Sequence, residues 1–123
     1  MAYLATLRPD AAPRLHPVRP VIAVGHRFLF TEPTSPKGGD LEGDGRSVLH
    51  CTATGDEPWD LREFLVEGEA RRVTDPDVRN TANTGSAFPR DDHFTLFDPQ
   101  VSAAFSTVYG SDGQPQRRRW QSP

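Results

Sequence analysis

The sequence predicts a mainly β fold, a small barrel of six or seven short strands with two short helices. Short runs rich in β-forming residues recur along the chain and are separated by turns rich in Gly, Pro and Asp. Two segments begin with Ser-Pro or Asp-Pro, and proline is favoured at the first position of a helix. At 123 residues the chain has the length of one domain.

The first half of the chain contains four predicted strands and one helix. The strands span residues 3–8, 14–23, 27–31 and 46–54, and the helix spans 35–43. Pro17 and Pro20 cannot donate hydrogen bonds to a neighbouring strand, so the second strand must lie at a sheet edge or carry a bulge. Gly38, Gly39 and Gly43 make the helix intrinsically weak, so tertiary contacts or a ligand must stabilise it.

The second half is predicted to contain further strands and a second short helix. These strand segments span residues 63–73, 94–97, 102–109 and 116–120, so the chain offers eight candidate segments for a barrel of six or seven strands. The second helix begins at Asp75-Pro76. Gly68 interrupts the first of these strand segments and predicts a bulge or a close backbone approach. The turn Gly110-Ser111-Asp112-Gly113 predicts that the last two strands pair as a hairpin. Residues 81–92 are polar, contain Gly and Pro, and show no clear pattern.

Composition and charge exclude several classes of protein. The net charge of −3 and the pI near 5.7 argue against general nucleic-acid affinity. No apolar run reaches membrane-spanning length, and the N-terminus lacks the basic region and apolar core of a signal peptide. The single cysteine, Cys51, excludes an internal disulfide, so a cytoplasmic location is expected. The hydrophobic content of 35% is low for a self-sufficient core and predicts a homodimer.

The turn between the third strand and the first helix has the features of a phosphate site. Ser35 is a favoured N-cap residue, and Pro36 then occupies the first helical position. Free N–H groups and the positive end of the helix dipole would meet there. Thr31 and Thr34 add hydroxyl groups, and Lys37 is the only lysine in the chain. The alternative is an ordinary capped helix with a solvated lysine.

Four segments carry a resemblance to a known family. The first three are Arg14-Leu15-His16-Pro17-Val18-Arg19, Phe28-Leu29-Phe30-Thr31, and Ser35-Pro36-Lys37 with Leu41. The fourth spans 64–73 and exits into a helix at Asp75-Pro76. In their order and spacing, these segments resemble the pyridoxamine 5'-phosphate oxidase-like family of FMN-binding split barrels. The likeness extends over residues 3–120.

The resemblance implies a split β-barrel that forms a homodimer, with FMN at each end of the subunit interface. In this family a basic residue stands at each end of the second-strand segment, and the backbone between them passes along the flavin ring. An aromatic–Thr pair ends the next strand, and the following turn binds the phosphate, although this chain has Pro36 where arginine is common. By resemblance, the residues expected to contact the cofactor are Arg14, His16, Pro17, Val18, Arg19, Phe30, Thr31, Ser35, Lys37, Glu63 and Trp120.

Several of these residues have simpler alternatives. For Arg14 and Arg19 the alternative is a pair of solvated side chains on an edge strand. Glu63 matches a polar position that can face the flavin in relatives, whereas a glutamate at the start of a strand is usually solvated. Trp120 follows three arginines, Arg117 to Arg119. This basic segment is either a strand that reaches the partner's flavin, where Trp120 stacks, or a frayed tail.

No metal site and no catalytic triad are predicted. His50 and Cys51 are sequence neighbours and should point to opposite faces of a strand, which makes them poor joint metal ligands. Cys51 lacks a local positive helix end or a paired histidine, so a buried, unreactive thiol is expected. His16 is expected beside the flavin ring or in the core.

The resulting prediction is an FMN-dependent oxidoreductase that transfers hydride or electrons to an unidentified small molecule. Oxidation of pyridoxamine phosphate itself is not expected, because no residues match the family's substrate-phosphate site. The alternatives are a deazaflavin-dependent reductase and a non-catalytic flavin- or haem-binding stress protein. Residues 1–123 are expected to form one FMN-binding domain, without the helix that precedes the first strand in relatives. Neither a nucleic acid nor a membrane is an expected partner.

Overall fold

Eight antiparallel strands curl into a half-barrel, and two short helices cover parts of it. The computed structural model describes residues 1–123. Its elements in chain order are β1 (Ala2–Leu7), β2 (Pro13–Val18), β3 (Val21–Ala23), β4 (His26–Thr31), α1 (Pro36–Gly43), β5 (Arg46–Thr54), β6 (Leu61–Arg72), α2 (Pro76–Thr84), β7 (Thr95–Tyr109) and β8 (Pro115–Gln121). The predicted mainly β split-barrel class is confirmed. Neither helix has the length and apolar character needed to span a bilayer.

The long strand β7 organises the sheet. The strand order is β2-β1-β5-β6-β7-β4-β3, and β8 also pairs with β7. β6 occupies one side of β7, while β4 and β8 share the other side. β4 pairs with residues 95–97 of β7 and β8 pairs with residues 103–109. One strand therefore holds both of these neighbours at different ends of its length.

Most predicted elements are confirmed, with shifts of one or two residues. β5 has the predicted bounds, and β1, β4, β6 and β8 start and end within two residues of the prediction. The two helices begin at the predicted prolines, Pro36 and Pro76. The hairpin turn is also confirmed, because the Gly113 N–H bonds to the Gly110 carbonyl at 2.9 Å and β8 pairs with β7.

The prediction of a single second strand over 14–23 is wrong. The chain forms two strands here, β2 and β3, which pair with β1 and β4 at opposite ends of the sheet. Pro20 lies between them and has no N–H to donate, so the strand breaks at Arg19-Pro20. Both pieces are edge strands, as the prolines required.

The prediction of two separate strands over 94–97 and 102–109 is also wrong. They form the single strand β7, which stays paired with β6 through the intervening residues. Pro99 pairs with Ala70, and Asp98 pairs with Arg71. β6 is 12 residues long and supplies partners for both halves, so Pro99 does not interrupt the strand.

A bulge marks the middle of this pairing. The register between β6 and β7 shifts at Gly68, and Ser102 is left without a partner in β6. The Ser102 hydroxyl donates to the Glu67 carbonyl at 3.1 Å. A Cβ on Gly68 would lie 1.7 Å from the Gln100 carbonyl oxygen. The predicted bulge and close backbone approach at Gly68 are both confirmed.

Two apolar clusters form the core. The larger one packs the inner face of the sheet against α1 and contains Ala2, Leu4, Leu29, Leu41, Leu49, Val66, Ala70 and Phe97. The smaller one lies under α2 and contains Phe28, Ala82 and Leu96. Only 17 of the 123 residues are buried, so these clusters cover only a part of the sheet.

The inner face of the half-barrel continues beyond the larger cluster. Ala104 packs against that cluster and pairs with Val66 and Trp120, so these side chains share one face. Phe64 and Val108 lie on the same face by strand alternation. Phe64, Val108 and Trp120 are 43%, 41% and 51% exposed. These three residues form what we call the open apolar face.

Candidate functional site

A cavity of about 430 Å³ lies where β2, β3 and β4 meet the loop after α2. Its lining comes from the end of β2, the corner before β3, the end of β4, the start of α1 and the loop. The fold therefore brings together segments that are separate in the sequence. Six residues of the sequence-predicted site line this cavity: Pro17, Val18, Arg19, Phe30, Thr31 and Lys37.

Three cations and no carboxylate line this cavity, which we call the cationic cavity. The cations are Arg19, Lys37 and Arg90. None of them forms an ion pair with an aspartate or glutamate. The chain as a whole carries a net charge of −3. The local excess of positive charge is therefore created by the fold, and it favours an anionic ligand.

The start of α1 places Lys37 at the cavity. Its Nζ donates a hydrogen bond to Ser35 Oγ at 2.9 Å. Ser35 is the N-cap residue, as predicted, but its side chain accepts from Lys37 and makes no capping hydrogen bond. Lys37 is thus held by a neutral hydroxyl group, and its charge remains available to an anion.

The close approach of α1 to β4 depends on a glycine. A Cβ on Gly38 would lie 2.9 Å from Thr31 Oγ1. Thr31 is buried, and its hydroxyl donates to the Thr95 carbonyl at 3.5 Å. Glycine at position 38 lets the first turn of α1 lie against the end of β4, which puts Lys37 in the cavity wall beside Thr31. Tertiary packing therefore explains a residue that weakens the helix intrinsically.

Arg14 has a different role from the other predicted cations. Its Nε donates to Asp40 Oδ2 at 2.7 Å, and Thr6 Oγ1 donates to the same oxygen at 2.8 Å. Asp40 is 4% exposed, and a buried carboxylate is costly unless it is paired in this way. Arg14 ties β2 to α1 and does not line the cationic cavity. Sequence reasoning missed Asp40, although an acidic residue directly before the apolar Leu41 in a helix is a usable signal.

His16 lies on β2 between Arg14 and the end of the strand. Its Nε2 is buried without a hydrogen-bond partner. Burial, the charge of Lys37 and the charge of Arg14 together lower the pKa of His16 below 6.5, against an opposing effect of Asp40. The ring is therefore neutral at pH 7. His16 does not line the cavity, although the charge of Lys37, which does line it, acts on the ring.

The loop after α2 supplies the remaining wall. Gly85, Ser86, Ala87, Phe88 and Arg90 line the cavity. This loop lies in the stretch 81–92, where the sequence shows no clear pattern. The turn-forming residues Gly85 and Ser86 were the available signal, but which strands the loop contacts depends on where α2 packs.

Glu63, Ser35 and Trp120 do not line the cavity. Glu63 is on β6, where its Oε1 lies 3.2 Å from His50 Nε2. Cys51, the neighbour of His50, packs half-buried against the core, so these two side chains lie on opposite faces as predicted. Trp120 lies on the open apolar face, in a paired strand and not in a frayed tail.

A larger depression, of about 690 Å³, lies beside the bulge of β6 and β7. Its charged lining residues are Arg46, Glu67, Glu69 and Arg71. Two carboxylates balance the two guanidinium groups, and Arg46 is already paired with Asp44 at 2.7 Å. This depression therefore does not favour an anion, and the cationic cavity is the better candidate site.

Neither a protein-family model nor a curated protein matches the chain in sequence. Solved structures match it in fold. A heme binding protein from Mycobacterium smegmatis has a TM-score of 0.76 at 19% identity, covering 95% of this chain and 51% of that chain. PhzG from Burkholderia lata 383, in complex with tetrahydrophenazine-1-carboxylic acid, has a TM-score of 0.71 at 15% identity. This match covers 99% of the present chain and 76% of PhzG. General Stress Protein 26 from Bacillus anthracis has a TM-score of 0.64 at 18% identity, and the match covers 95% of the present chain and 88% of that protein.

These neighbours are split barrels of the pyridoxamine 5'-phosphate oxidase-like fold. At such identities the likeness establishes the fold of this chain. The chain spans about half the length of the Mycobacterium smegmatis protein.

Proposed function

We propose that the cationic cavity binds FMN and that the chain is a flavin-dependent oxidoreductase acting on a small molecule. The observation that carries this proposal is the lining, which combines three cations and no carboxylate with apolar side chains. FMN joins a planar ring system to a phosphate, so it needs both kinds of surface.

The residues of the cavity divide between these two needs. Lys37, Arg19 and Arg90 would bind the phosphate through charge-assisted hydrogen bonds. Pro17 and Val18 offer an apolar edge to the ring. A bound flavin supplies hydride or electron transfer, and the chain's own part is to bind it, orient it and exclude water.

The lining favours a flavin over a haem. Proteins usually hold haem iron with His, Cys, Met or Tyr side chains. None of these residue types lines the cationic cavity. Haem binding without catalysis is the second candidate, because one structural neighbour is described as a heme binding protein. PhzG was solved in complex with tetrahydrophenazine-1-carboxylic acid, a compound built on three fused rings, as a flavin is.

We also propose that the protein is a homodimer in which a second copy covers the open apolar face. Phe64, Val108 and Trp120 continue the inner face of the sheet but are left uncovered by the protomer's own core. Burying such a surface is worth roughly 25 cal/mol for each Å² of apolar area. Trp120, which lies on this face and outside its own cavity, is then a candidate to reach the cavity of the partner. Glu63 neighbours Phe64 on β6 and points to the opposite face of the sheet, so this dimer does not bring it to the partner's cavity.

The first experiment is an absorbance spectrum of the purified protein, followed by titration with FMN, riboflavin, a deazaflavin and hemin. We expect FMN to bind most tightly, and riboflavin to bind more weakly because it lacks the phosphate. Binding of hemin without binding of FMN would replace the flavin proposal with the haem one. Reduction of the bound flavin by a nicotinamide donor under anaerobic conditions, seen as a loss of visible absorbance, tests the oxidoreductase role.

A further inference from the structure

The loop after α2 presents an exposed aromatic ring at the cationic cavity. Phe88 lines this cavity, and its side chain is 66% exposed. It belongs to neither apolar cluster of the core and pairs with no other aromatic ring. The ring therefore lies outside both core clusters and is largely open to a ligand.

The loop that carries Phe88 is held by its own hydrogen bonds. Asn83 Nδ2 donates to the Arg90 carbonyl at 3.0 Å, and the Arg90 N–H donates to Asn83 Oδ1 at 2.8 Å. The Ser86 hydroxyl donates to the Phe88 carbonyl at 2.9 Å and accepts from the Phe88 N–H at 3.3 Å. The Arg90 guanidinium also donates to the Phe88 carbonyl. An ordered loop presents the ring at a smaller entropic cost on binding than a free one.

A close contact with β3 fixes where this loop begins. A Cβ on Gly85 would lie 2.8 Å from the Ile22 carbonyl oxygen and 3.0 Å from the Ala23 Cβ. The loop is therefore seated against β3 at its first residue and is closed by Asn83 and Arg90 at its end. Phe88 lies between these two anchored points.

We propose that Phe88 is an aromatic wall of the cationic cavity and stacks on the planar ring of the bound cofactor. This inference rests on the proposed function and deepens it, because it names the residue that recognises the ring and not the phosphate. Lys37 and Arg19 supply charge but little ring surface, whereas an aromatic side chain offers an offset-stacked contact. Phe88 is the only aromatic side chain besides Phe30 in the lining, and Phe30 is already packed against the smaller core cluster.

The test compares Phe88→Ala, Phe88→Leu and Phe88→Tyr, with FMN and riboflavin as probes. Stacking acts on the ring, so Phe88→Ala should raise the Kd of both probes by the same factor, about threefold to tenfold. Phe88→Tyr should retain affinity, and Phe88→Leu should resemble Phe88→Ala. An aromatic ring stacked on a flavin quenches its fluorescence, so the bound flavin should become brighter in Phe88→Ala. Phe88 is exposed, so the variants should fold, and thermal unfolding checks this.

Two further variants make the outcome specific. Trp59→Ala removes another exposed aromatic, outside the cavity, and should change neither affinity. Lys37→Ala should weaken FMN but not riboflavin. Unchanged affinity and fluorescence in Phe88→Ala, with FMN still weakened by Lys37→Ala, would overturn the role of Phe88 and leave the proposed function standing. A wild-type protein that binds neither FMN nor riboflavin would overturn both the role of Phe88 and the proposed function. A Phe88→Leu variant with the same affinities as wild type would show that no aromatic ring is needed, which would also overturn the stacking role.

Discussion

At the scale of single residues, the partner of each cation decides what that cation can do. Arg14 lies at the start of β2, and Arg19 lies five positions later, directly after the end of that strand. Arg14 donates to the buried carboxylate of Asp40, and the negative charge of Asp40 neutralises the charge of Arg14. Arg19 forms no ion pair and lines the cavity. Arg19 and Lys37, and not Arg14, should therefore dominate the affinity for a phosphate.

Replacement of Lys37 by alanine should weaken FMN binding by about tenfold or more. A charge-assisted hydrogen bond to a phosphate is worth roughly 1.5–3 kcal/mol, which gives this factor. Fluorescence titration of wild type and Lys37→Ala with FMN measures it. Riboflavin is the matched probe, because it lacks the phosphate and its affinity should not change. Equal FMN affinities for the two proteins would remove Lys37 from the phosphate site.

His16 should make the protein less stable in mild acid. Its pKa is lowered in the folded state, first by burial and then by Lys37 and Arg14. As the pH falls below about 6.5, the unfolded chain takes up a proton that the folded chain does not, so the free energy of unfolding decreases. His16→Gln has no such group, so its stability should decrease less over the same interval. Urea unfolding at about pH 7.5 and about pH 5.5 measures the difference. An identical decrease in the two proteins would contradict this role.

At the scale of elements, the glycines of this chain differ in what their surroundings require. Gly68 allows two strands to approach at the bulge, and Gly38 allows α1 to lie against Thr31. Gly39 lies inside the same helix as Gly38, but a Cβ on Gly39 would have no neighbouring atom within 4 Å. Of these three glycines, only Gly68 and Gly38 are required by contacts. Tertiary packing therefore explains one of the residues that lower the helix propensity of α1.

Gly68→Ala should strongly destabilise the fold, by about 3 kcal/mol or more, because the new methyl group would meet the Gln100 backbone at 1.7 Å. Backbone cannot move aside as a flexible side chain can. Gly39→Ala is the control and should instead stabilise the protein by about 0.5–1 kcal/mol. Chemical denaturation of the three proteins measures both effects. A Gly68→Ala protein as stable as wild type would show that the bulge can rearrange.

At the scale of the whole molecule, the sheet is a half-barrel with one end of its inner face uncovered. Ala104 on β7 packs against the larger core cluster. Trp120 lies beside it on β8, on the same face, but no other element covers Trp120. The cationic cavity lies elsewhere, near the ends of β2 and β4. A partner on the open apolar face therefore leaves the protomer's own cavity residues in place.

Light scattering should report a mass near twice 13.6 kDa. Phe64→Asp places a charge on the open apolar face and should shift the protein to the monomer, because an unpaired charge in an apolar interface is costly. Ile22→Asp is the matched control, since it places the same charge at an exposed apolar residue on β3, and it should leave the mass unchanged. A wild-type monomer that binds FMN with full affinity would exclude the dimer as a requirement of the site.

The resemblance to a known family named the six predicted site residues that meet in one cavity. The sequence by itself determined most of the strand segments, the two helix starts and the close approach at Gly68. These features depend on alternation, turn chemistry and short spacings, which are local properties of the chain. Only the tertiary structure decided that Arg14 forms an ion pair with Asp40, 26 residues away, and that Phe88 and Arg90 complete the cavity. It also joined two predicted strands into β7, because the length of β6 and not the local sequence keeps that segment extended. These outcomes depend on contacts between distant segments, and no local pattern specifies which distant residue will arrive at a given place.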